Sequence, residues 1–190
     1  MAVSETDRSV ARAAADAFGG IPAVWRHADE GESNVIDILS CPDRPTAGLT
    51  TYSTLGLYRV PNLLDGEDIR VELAGVASSG AAEFANVLGE AAMLVMKDHW
   101  LAAPGVTYPG LIWQRELTTT MDSMIWVPPF PWPELGSVDL GGDLRVHWLL
   151  GVPIAEAERQ FVLEHGFDAF TARMEAQDVE YWRLDRPAIV

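Results

Sequence analysis

The sequence predicts an α+β protein whose central, mainly antiparallel sheet packs with an N-terminal helix, one long middle helix and two short C-terminal helices. Helical and strand-like segments follow one another without the regular alternation of a doubly wound parallel fold. Hydrophobic residues make up 48% of the 190 residues, which is enough to bury a sizeable core. The chain shows no internal repeats and no low-complexity linker. We therefore expect one domain over residues 1–190, in which residues 1–20 form an N-terminal helical extension.

The helices are predicted from apolar periodicity and from the residues at their ends. An alanine-rich helix spans Asp7–Phe18, with Asp7 as its N-cap and a glycine pair after it. The longest helix spans Ala81–Trp100 and places apolar residues on one face. Gly89 lies inside this helix, at a cost of about 1 kcal/mol relative to alanine. Two short helices follow near the C-terminus, Ala155–His165 and Phe167–Gln177.

Five segments are predicted to be strands, because they are apolar or alternate with period two and are bounded by turn residues. They are Val35–Leu39, Gly48–Val60, Ile69–Leu73, Met124–Val127 and Leu144–Val152. The second segment carries a glycine kink at Gly56 and forms a hairpin with the third. The connection between them is an acidic turn, Leu63–Asp68.

The chain carries a formal net charge of −15 at pH 7. Charge of this sign repels phosphate groups, which argues against nucleic acid and anionic membranes as partners and favours a basic protein partner. The acidic residues are spread along the chain without forming a tail. The alternative is therefore that the charge only keeps the protein in solution.

The sequence lacks the usual signals for secretion and membrane insertion. Met1–Arg12 has no apolar core, and no segment approaches the length of an uncharged membrane span. Cys41 is the only cysteine, so no intrachain disulfide can form. We therefore expect a cytoplasmic protein.

The residues that could carry chemistry show no catalytic or metal-binding pattern. The four histidines, His27, His99, His147 and His165, lie on different predicted elements, and none belongs to an H-x-x-x-H or C-x-x-C arrangement. Phosphate-binding glycine loops and serine nucleophile motifs are also absent. We predict no catalytic residue, no cofactor and no metal. The alternative is a hydrolase that uses His147 or His99 with nearby carboxylates, since a catalytic triad can be invisible in sequence.

Prolines alternate with two aromatic residues over Pro128–Pro133. This composition suits an extended loop and could serve as a ligand for a proline-reading domain. We favour the alternative that Phe130 and Trp132 fold the loop over the core of its own domain, because the segment lies inside that domain.

Five segments share their order and spacing with one known family. They are Thr51–Leu57, Ile69–Leu73, Ala81–Trp100, Leu144–Gly166 and Asp185–Pro187. Leu144–Gly166 is similar to the family's strand that leads through a proline into a helix with a glutamate in its first turn. Through these segments the chain resembles the Suppressor of Fused family from Val35 to the C-terminus.

The resemblance implies a non-enzymatic protein-binding domain, a SUFU-like domain of the bacterial single-domain kind. Animal members hold zinc-finger transcription factors by gripping a peptide between two lobes, whereas bacterial relatives look like immunity proteins that neutralise toxins. We expect this chain to lack the second lobe. Together with its acidity, this favours an immunity protein against a basic, nuclease-like toxin; the alternative is a cytoplasmic adaptor that sequesters another regulator.

The acidic turn is the predicted protein-binding site. Asp65, Glu67 and Asp68 place three carboxylates within four positions at a hairpin tip, where loops project and carry function. The family's matching loop bears acidic contacts to a peptide. The alternative is a solvated hairpin tip with no binding role.

Overall fold

The computed structural model describes residues 4–29, 31, 33–115, 117, 118 and 120–190. Within these residues the chain forms four α-helices and ten β-strands. The helices are α1 Glu5–Phe18, α2 Phe84–Asp98, α3 Glu156–His165 and α4 Phe167–Ala176. The strands are β1 Ala23–Ala28, β2 Val35–Pro42, β3 Leu49–Leu55, β4 Leu63–Leu64, β5 Glu67–Asp68, β6 Arg70–Ser78, β7 Thr107–Tyr108, β8 Ser123–Val127, β9 Val138–Gly141 and β10 Leu144–Ile154. The predicted α+β class and the four predicted helices are confirmed.

One large sheet organises the described residues, in the strand order β1-β2-β3-β6-β10-β8-β7, with β9 paired to the start of β10. The pair β6–β10 at its centre is parallel, and its other strand pairs are antiparallel. The predicted antiparallel pairing of the second and third segments is confirmed by β3 and β6. The sequence did not predict β1, β7 or β9.

Both faces of the sheet are covered by helices, which places the core in two layers. Along β10, Trp148 and Leu150 pack with α1, α3 and α4, while Leu149 packs with α2 on the other face. This is the period-two alternation of a strand. The central strands are therefore apolar on both faces. Phe84 and Leu88 of α2 are buried on one side of the sheet, and Trp148 and Leu150 of β10 on the other.

Gly89 in α2 has a packing role that the sequence did not reveal. The ring of His27, on the edge strand β1, lies directly over it, and a Cβ at position 89 would come within 2.5 Å of that ring. The His27 Nδ1 atom also lies 3.2 Å from Asn86 Oδ1. Gly89 therefore allows β1 to approach α2.

The N-cap of α1 lies three residues before the predicted one. Ser4 is the N-cap, because its hydroxyl accepts the Asp7 N–H at 3.0 Å while the Asp7 carboxylate accepts the Ser4 N–H at 2.9 Å. This reciprocal arrangement is a capping box, in which the acidic residue occupies the third helical position. The prediction that Asp7 is the cap was therefore wrong.

The strand predicted over Gly48–Val60 is shorter in the structure. β3 ends at Leu55, and Gly56, with φ of 105°, starts a single turn of 3₁₀-helix over Leu57–Arg59. A positive φ of this size is readily adopted only by glycine. The residue predicted to kink the strand instead ends it.

Candidate protein-binding surface

The predicted acidic turn is a small hairpin of its own. β4 and β5 pair antiparallel, and the two residues between them, Asp65 and Gly66, have φ of 51° and 88°. A two-residue turn with positive φ at both positions is the common hairpin connection, and Asp-Gly is one of its preferred sequences. We call Leu63–Asp68 the acidic hairpin.

The three predicted site residues have two different roles. Asp65 and Glu67 are exposed, whereas Asp68 is half-buried. Asp68 accepts two hydrogen bonds from Arg70, from Nε at 2.8 Å and from Nη2 at 2.7 Å. This bidentate contact lowers the pKa of the Asp68 carboxyl. Asp68 is thus used inside the protein, and Asp65 and Glu67 are the carboxylates offered to solvent.

A buried asparagine attaches the acidic hairpin to the rest of the fold. The Asn62 side chain donates to the Ala102 carbonyl at 2.7 Å and accepts the Ala102 N–H at 3.0 Å. The backbone N–H of Asn62 donates to the Asp68 carboxylate at 3.2 Å. The base of the hairpin is therefore held, while Leu63, 61% exposed, and the two free carboxylates project from it.

Arg70 connects the acidic hairpin to a buried glutamate. Its Nη1 donates to the Tyr58 carbonyl at 2.9 Å, and the Tyr58 N–H donates to the Glu72 carboxylate at 3.3 Å. Glu72 also accepts the Gly56 N–H at 2.7 Å and the Thr54 hydroxyl at 2.5 Å.

Glu72 is fully buried and has no cationic partner among the described residues. Burial raises the pKa of its carboxyl to about 7, although the hydrogen bonds from Thr54, Gly56 and Tyr58 act in the opposite direction. In the sequence, Glu72 stands out only as one residue of the predicted strand Ile69–Leu73. Its role in holding the Gly56–Arg59 turn is visible only in three dimensions.

Two segments that resemble the family meet at a second buried glutamate. Glu158 of α3 accepts the Ala155 N–H at 2.8 Å, which is one half of a capping box. Arg186 donates to both of its carboxylate oxygens, at 2.5 Å and 3.0 Å, and also to the Pro153 carbonyl at 2.9 Å. This ion pair attaches the C-terminal segment to the end of β10 and the start of α3.

The groups considered for catalysis do not come together within the part of the chain that the structure describes. That part contains no cluster of three or more metal-ligating side chains. His99, His147 and His165 are exposed, and Cys41 is buried, which raises the pKa of its thiol. Separately, none of the helices described has the length and apolar character needed to cross a membrane.

The proline-rich segment follows the favoured interpretation only in part. Trp132 is buried and packs on Phe18 with ring centroids 4.6 Å apart, as expected for a loop folded over its own core. Phe130 is 57% exposed, so the expectation that it covers the core was wrong. Its ring instead meets Tyr181 edge-on.

A family model described as Suppressor of fused protein (SUFU) matches residues 32–187. The immunity protein YqcF of Bacillus subtilis (strain 168) is 32% identical to this chain over 192 residues, which covers 100% of both. A SUFU homolog from Neisseria gonorrhoeae FA 1090 has a similar fold, with a TM-score of 0.70 at 14% identity over 99% of this chain and 97% of that one.

Two further structures share the fold. The crystal structure of the Sufu–Fu complex matches with a TM-score of 0.65 at 13% identity, over 96% of this chain and 91% of that chain. Drosophila Suppressor of Fused matches with a TM-score of 0.54 at 13% identity, over 88% of this chain and 42% of that one. The family model covers most of the sequence, and YqcF is similar along its whole length. The chain therefore belongs to the Suppressor of Fused (SUFU) family.

Proposed function

We propose that this chain is a protein-binding domain that acts as an immunity protein and neutralises a basic, nuclease-like toxin. The observation that carries this proposal is the full-length similarity, at 32% identity, to a protein named as an immunity protein. The net charge of −15 supports the basic character of the partner, since charge complementarity speeds encounter and suppresses wrong partners. The cytoplasmic location expected from the sequence stays a prediction.

The mechanism that we propose is stoichiometric binding without turnover. Asp65 and Glu67 of the acidic hairpin are exposed and supply negative potential with a reach of about 8 Å at physiological salt. The predicted contact surface is therefore reduced to these two carboxylates, with Asp68 holding the hairpin in shape through Arg70. A basic enzyme approaching this surface would be attracted before any close contact forms.

The second candidate is an adaptor that holds a regulator. It is favoured by the fold shared with a chain of the Sufu–Fu complex, since that structure is named as a complex of Sufu with Fu. The two candidates differ in one observable property. The partner of an immunity protein is toxic when it is expressed alone, whereas the partner of an adaptor is not.

Co-expression tests the proposal directly. The proposal predicts a basic toxin domain encoded beside the gene. That domain is placed under an inducible promoter in a bacterial host, with or without this chain, and surviving colonies are counted. We expect the domain to kill alone and the chain to restore growth. The matched control is Leu150→Ala, which removes a buried core side chain at a cost of about 2–5 kcal/mol and should weaken protection. Continued killing in the presence of soluble chain would refute the immunity function.

A further inference from the structure

An open groove of about 820 Å³ lies between the segment that follows β8 on one side and α4 with the residues after it on the other. Its lining includes Phe130, Phe167, Met174, Tyr181 and Trp182, and we call it the aromatic groove. Because Phe130 is more than half exposed, the aromatic wall of the groove is reachable from solvent. An apolar surface with aromatic walls is the usual core of a protein-binding site.

Three of these rings form an edge-to-face series. The centroids of Phe130 and Tyr181 are 5.0 Å apart at an interplanar angle of 75°, and those of Tyr181 and Trp182 are 4.9 Å apart at 83°. Rings in such contacts present electron-rich faces to their surroundings. A cation that enters the groove can lie over such a face.

Tyr181 adds a hydrogen-bonding group to the aromatic groove. The residue is 8% exposed, and burial raises the pKa of its hydroxyl to about 12. No described residue forms a hydrogen bond with this hydroxyl. Since Tyr181 lines the aromatic groove, the hydroxyl is available to water or to a bound molecule.

The rim of the aromatic groove is acidic. Glu175 and Asp178 are exposed and make no ion pair with any described residue, while Glu180 is paired with Arg183 at 3.1 Å. The nearby Arg173 lies over the Phe161 ring at 4.6 Å. Two carboxylates therefore remain uncompensated beside the aromatic wall.

We propose that the aromatic groove is a docking site for an arginine-bearing segment of a basic protein partner. A guanidinium group can stack on an aromatic ring, donate to the Tyr181 hydroxyl oxygen and pair with carboxylates at the rim. An ammonium group lacks the planar stacking surface. That the partner is a basic protein rests on the proposed function. That the groove recognises a guanidinium group rests on the aromatic groove alone.

The test uses a small probe, so that it does not depend on the natural partner. Acetyl-arginine amide is titrated into the ¹⁵N-labelled protein, and the indole N–H signal of Trp182, assigned through Trp182→Phe, is followed by NMR. We expect a saturable shift of this signal. Acetyl-citrulline amide, which has nearly the same shape but no charge, should produce a much smaller shift. An absent shift with the arginine probe, or equal shifts with both probes, would overturn the proposal.

Matched charge variants show where the probe binds. Glu175→Gln with Asp178→Asn should weaken binding of the arginine probe by at least about three-fold, the scale of a partly exposed ion pair. Asp65→Asn with Glu67→Gln removes the same charge from the acidic hairpin and should leave the affinity unchanged. Equal weakening by both pairs would mean that only net charge matters, and it would refute the aromatic groove as the site.

Tyr181→Phe separates recognition from folding. Removing an unpartnered hydroxyl should leave the melting temperature unchanged or raised, because no hydrogen bond within the described residues is lost. The same change should weaken binding of the arginine probe. Unaltered affinity would exclude the hydroxyl as a contact. If the chain neutralises a toxin but arginine does not shift the Trp182 signal, the aromatic groove is refuted as a docking site and the immunity function stands. If arginine shifts the signal but the chain does not neutralise the toxin, only the immunity function is refuted.

Discussion

The acidic hairpin and the aromatic groove both present carboxylates to solvent, but they differ in what lies beside those carboxylates. The acidic hairpin offers Asp65 and Glu67 with one exposed apolar side chain, Leu63. The aromatic groove sets its carboxylates against a wall of aromatic rings. Exposed charges mainly increase the rate at which a charged partner associates. Apolar surface beside such charges also slows the dissociation of the bound partner. If both proposals hold, the two surfaces act at different stages of binding a basic partner.

Two glutamates of the described residues, Glu72 and Glu158, are buried, and they are held differently. Glu72, behind the acidic hairpin, accepts hydrogen bonds but meets no cation among the described residues. Glu158, which attaches the C-terminal segment that follows the aromatic groove, is paired with Arg186. Removing the partner of a buried charge strongly destabilises the folded state. A buried acid without a cation instead makes the stability depend on pH. Variants at these positions test the comparison.

The largest effect is expected from Arg186→Met. The substitution leaves the Glu158 carboxylate buried without its cation, and such losses cost about 3–5 kcal/mol. Urea unfolding measures the change, and the arginine-probe titration shows whether the aromatic groove is lost as well. The double variant with Glu158→Gln should recover much of the stability, because the unpaired charge is gone. A loss below about 1 kcal/mol in the single variant would contradict the burial of this pair.

Glu72→Gln is expected to stabilise the protein, and only at higher pH. The pKa of Glu72 is about 7 in the folded state, against an ordinary value of 4.5. Ionisation is therefore easier in the unfolded chain, and the native state loses stability as pH rises from the ordinary value to the folded one. The difference corresponds to about 3 kcal/mol at 1.36 kcal/mol per pKa unit.

The glutamine variant should therefore be more stable than the native protein above neutral pH and equal to it below the ordinary pKa of the carboxyl. Chemical unfolding across this pH range, read as the difference between the two proteins, provides the measurement. A constant difference at all pH values would show that Glu72 does not titrate in the folded state within this window.

Asp68→Asn should have a smaller effect and should lower the stability at neutral pH. The Arg70 contacts lower the pKa of Asp68, so its stabilisation is present above the ordinary carboxyl pKa and is lost as pH falls towards the folded value. We expect a cost of about 1 kcal/mol at neutral pH for this bidentate, half-exposed pair. Thermal unfolding of Asp68→Asn is compared with that of Asp65→Asn, whose melting temperature should change little. The comparison distinguishes the carboxylate that stabilises the fold from the one that faces solvent. Equal losses in the two variants would remove the distinction between them.

The sequence predicted the parts of this fold that depend on local periodicity. The helix predicted over Ala81–Trp100 is observed as α2, and most of the strand predicted over Ile69–Leu73 lies in β6. The polar alternation of that strand does not mark a solvent-facing side, because Glu72 is buried as well. The edge strand β1 was missed because it is short and largely exposed, so it lacks an alternating apolar pattern. Its contact with Gly89 is tertiary, and no local pattern reports it.

The two surfaces were predictable to different degrees. The acidic hairpin is continuous in sequence, and its Asp-Gly turn has a strong local signature. The role of Asp68 also had a signal, since Asp68 and Arg70 stand two residues apart, the spacing that places side chains on one face of an extended segment. The aromatic groove combines Phe130 with residues 167–182, which only the packing of the proline-rich segment against α4 brings together. Sequence patterns do not contain that contact.

The smallest effect on folding, and the sharpest test of the comparison, is expected from Asp65→Asn with Glu67→Gln. Both side chains are exposed, so the free energy of unfolding should stay within about 0.5 kcal/mol of the native value. If the acidic hairpin steers a basic partner, the association rate with the toxin domain should fall and lose part of its salt dependence, while the dissociation rate stays the same. Stopped-flow mixing at two salt concentrations measures both. The aromatic-groove pair Glu175→Gln with Asp178→Asn carries the same charge change and should instead raise the dissociation rate, because its carboxylates contact the bound segment. Identical kinetic changes in the two variants would erase the division between a steering surface and a docking surface.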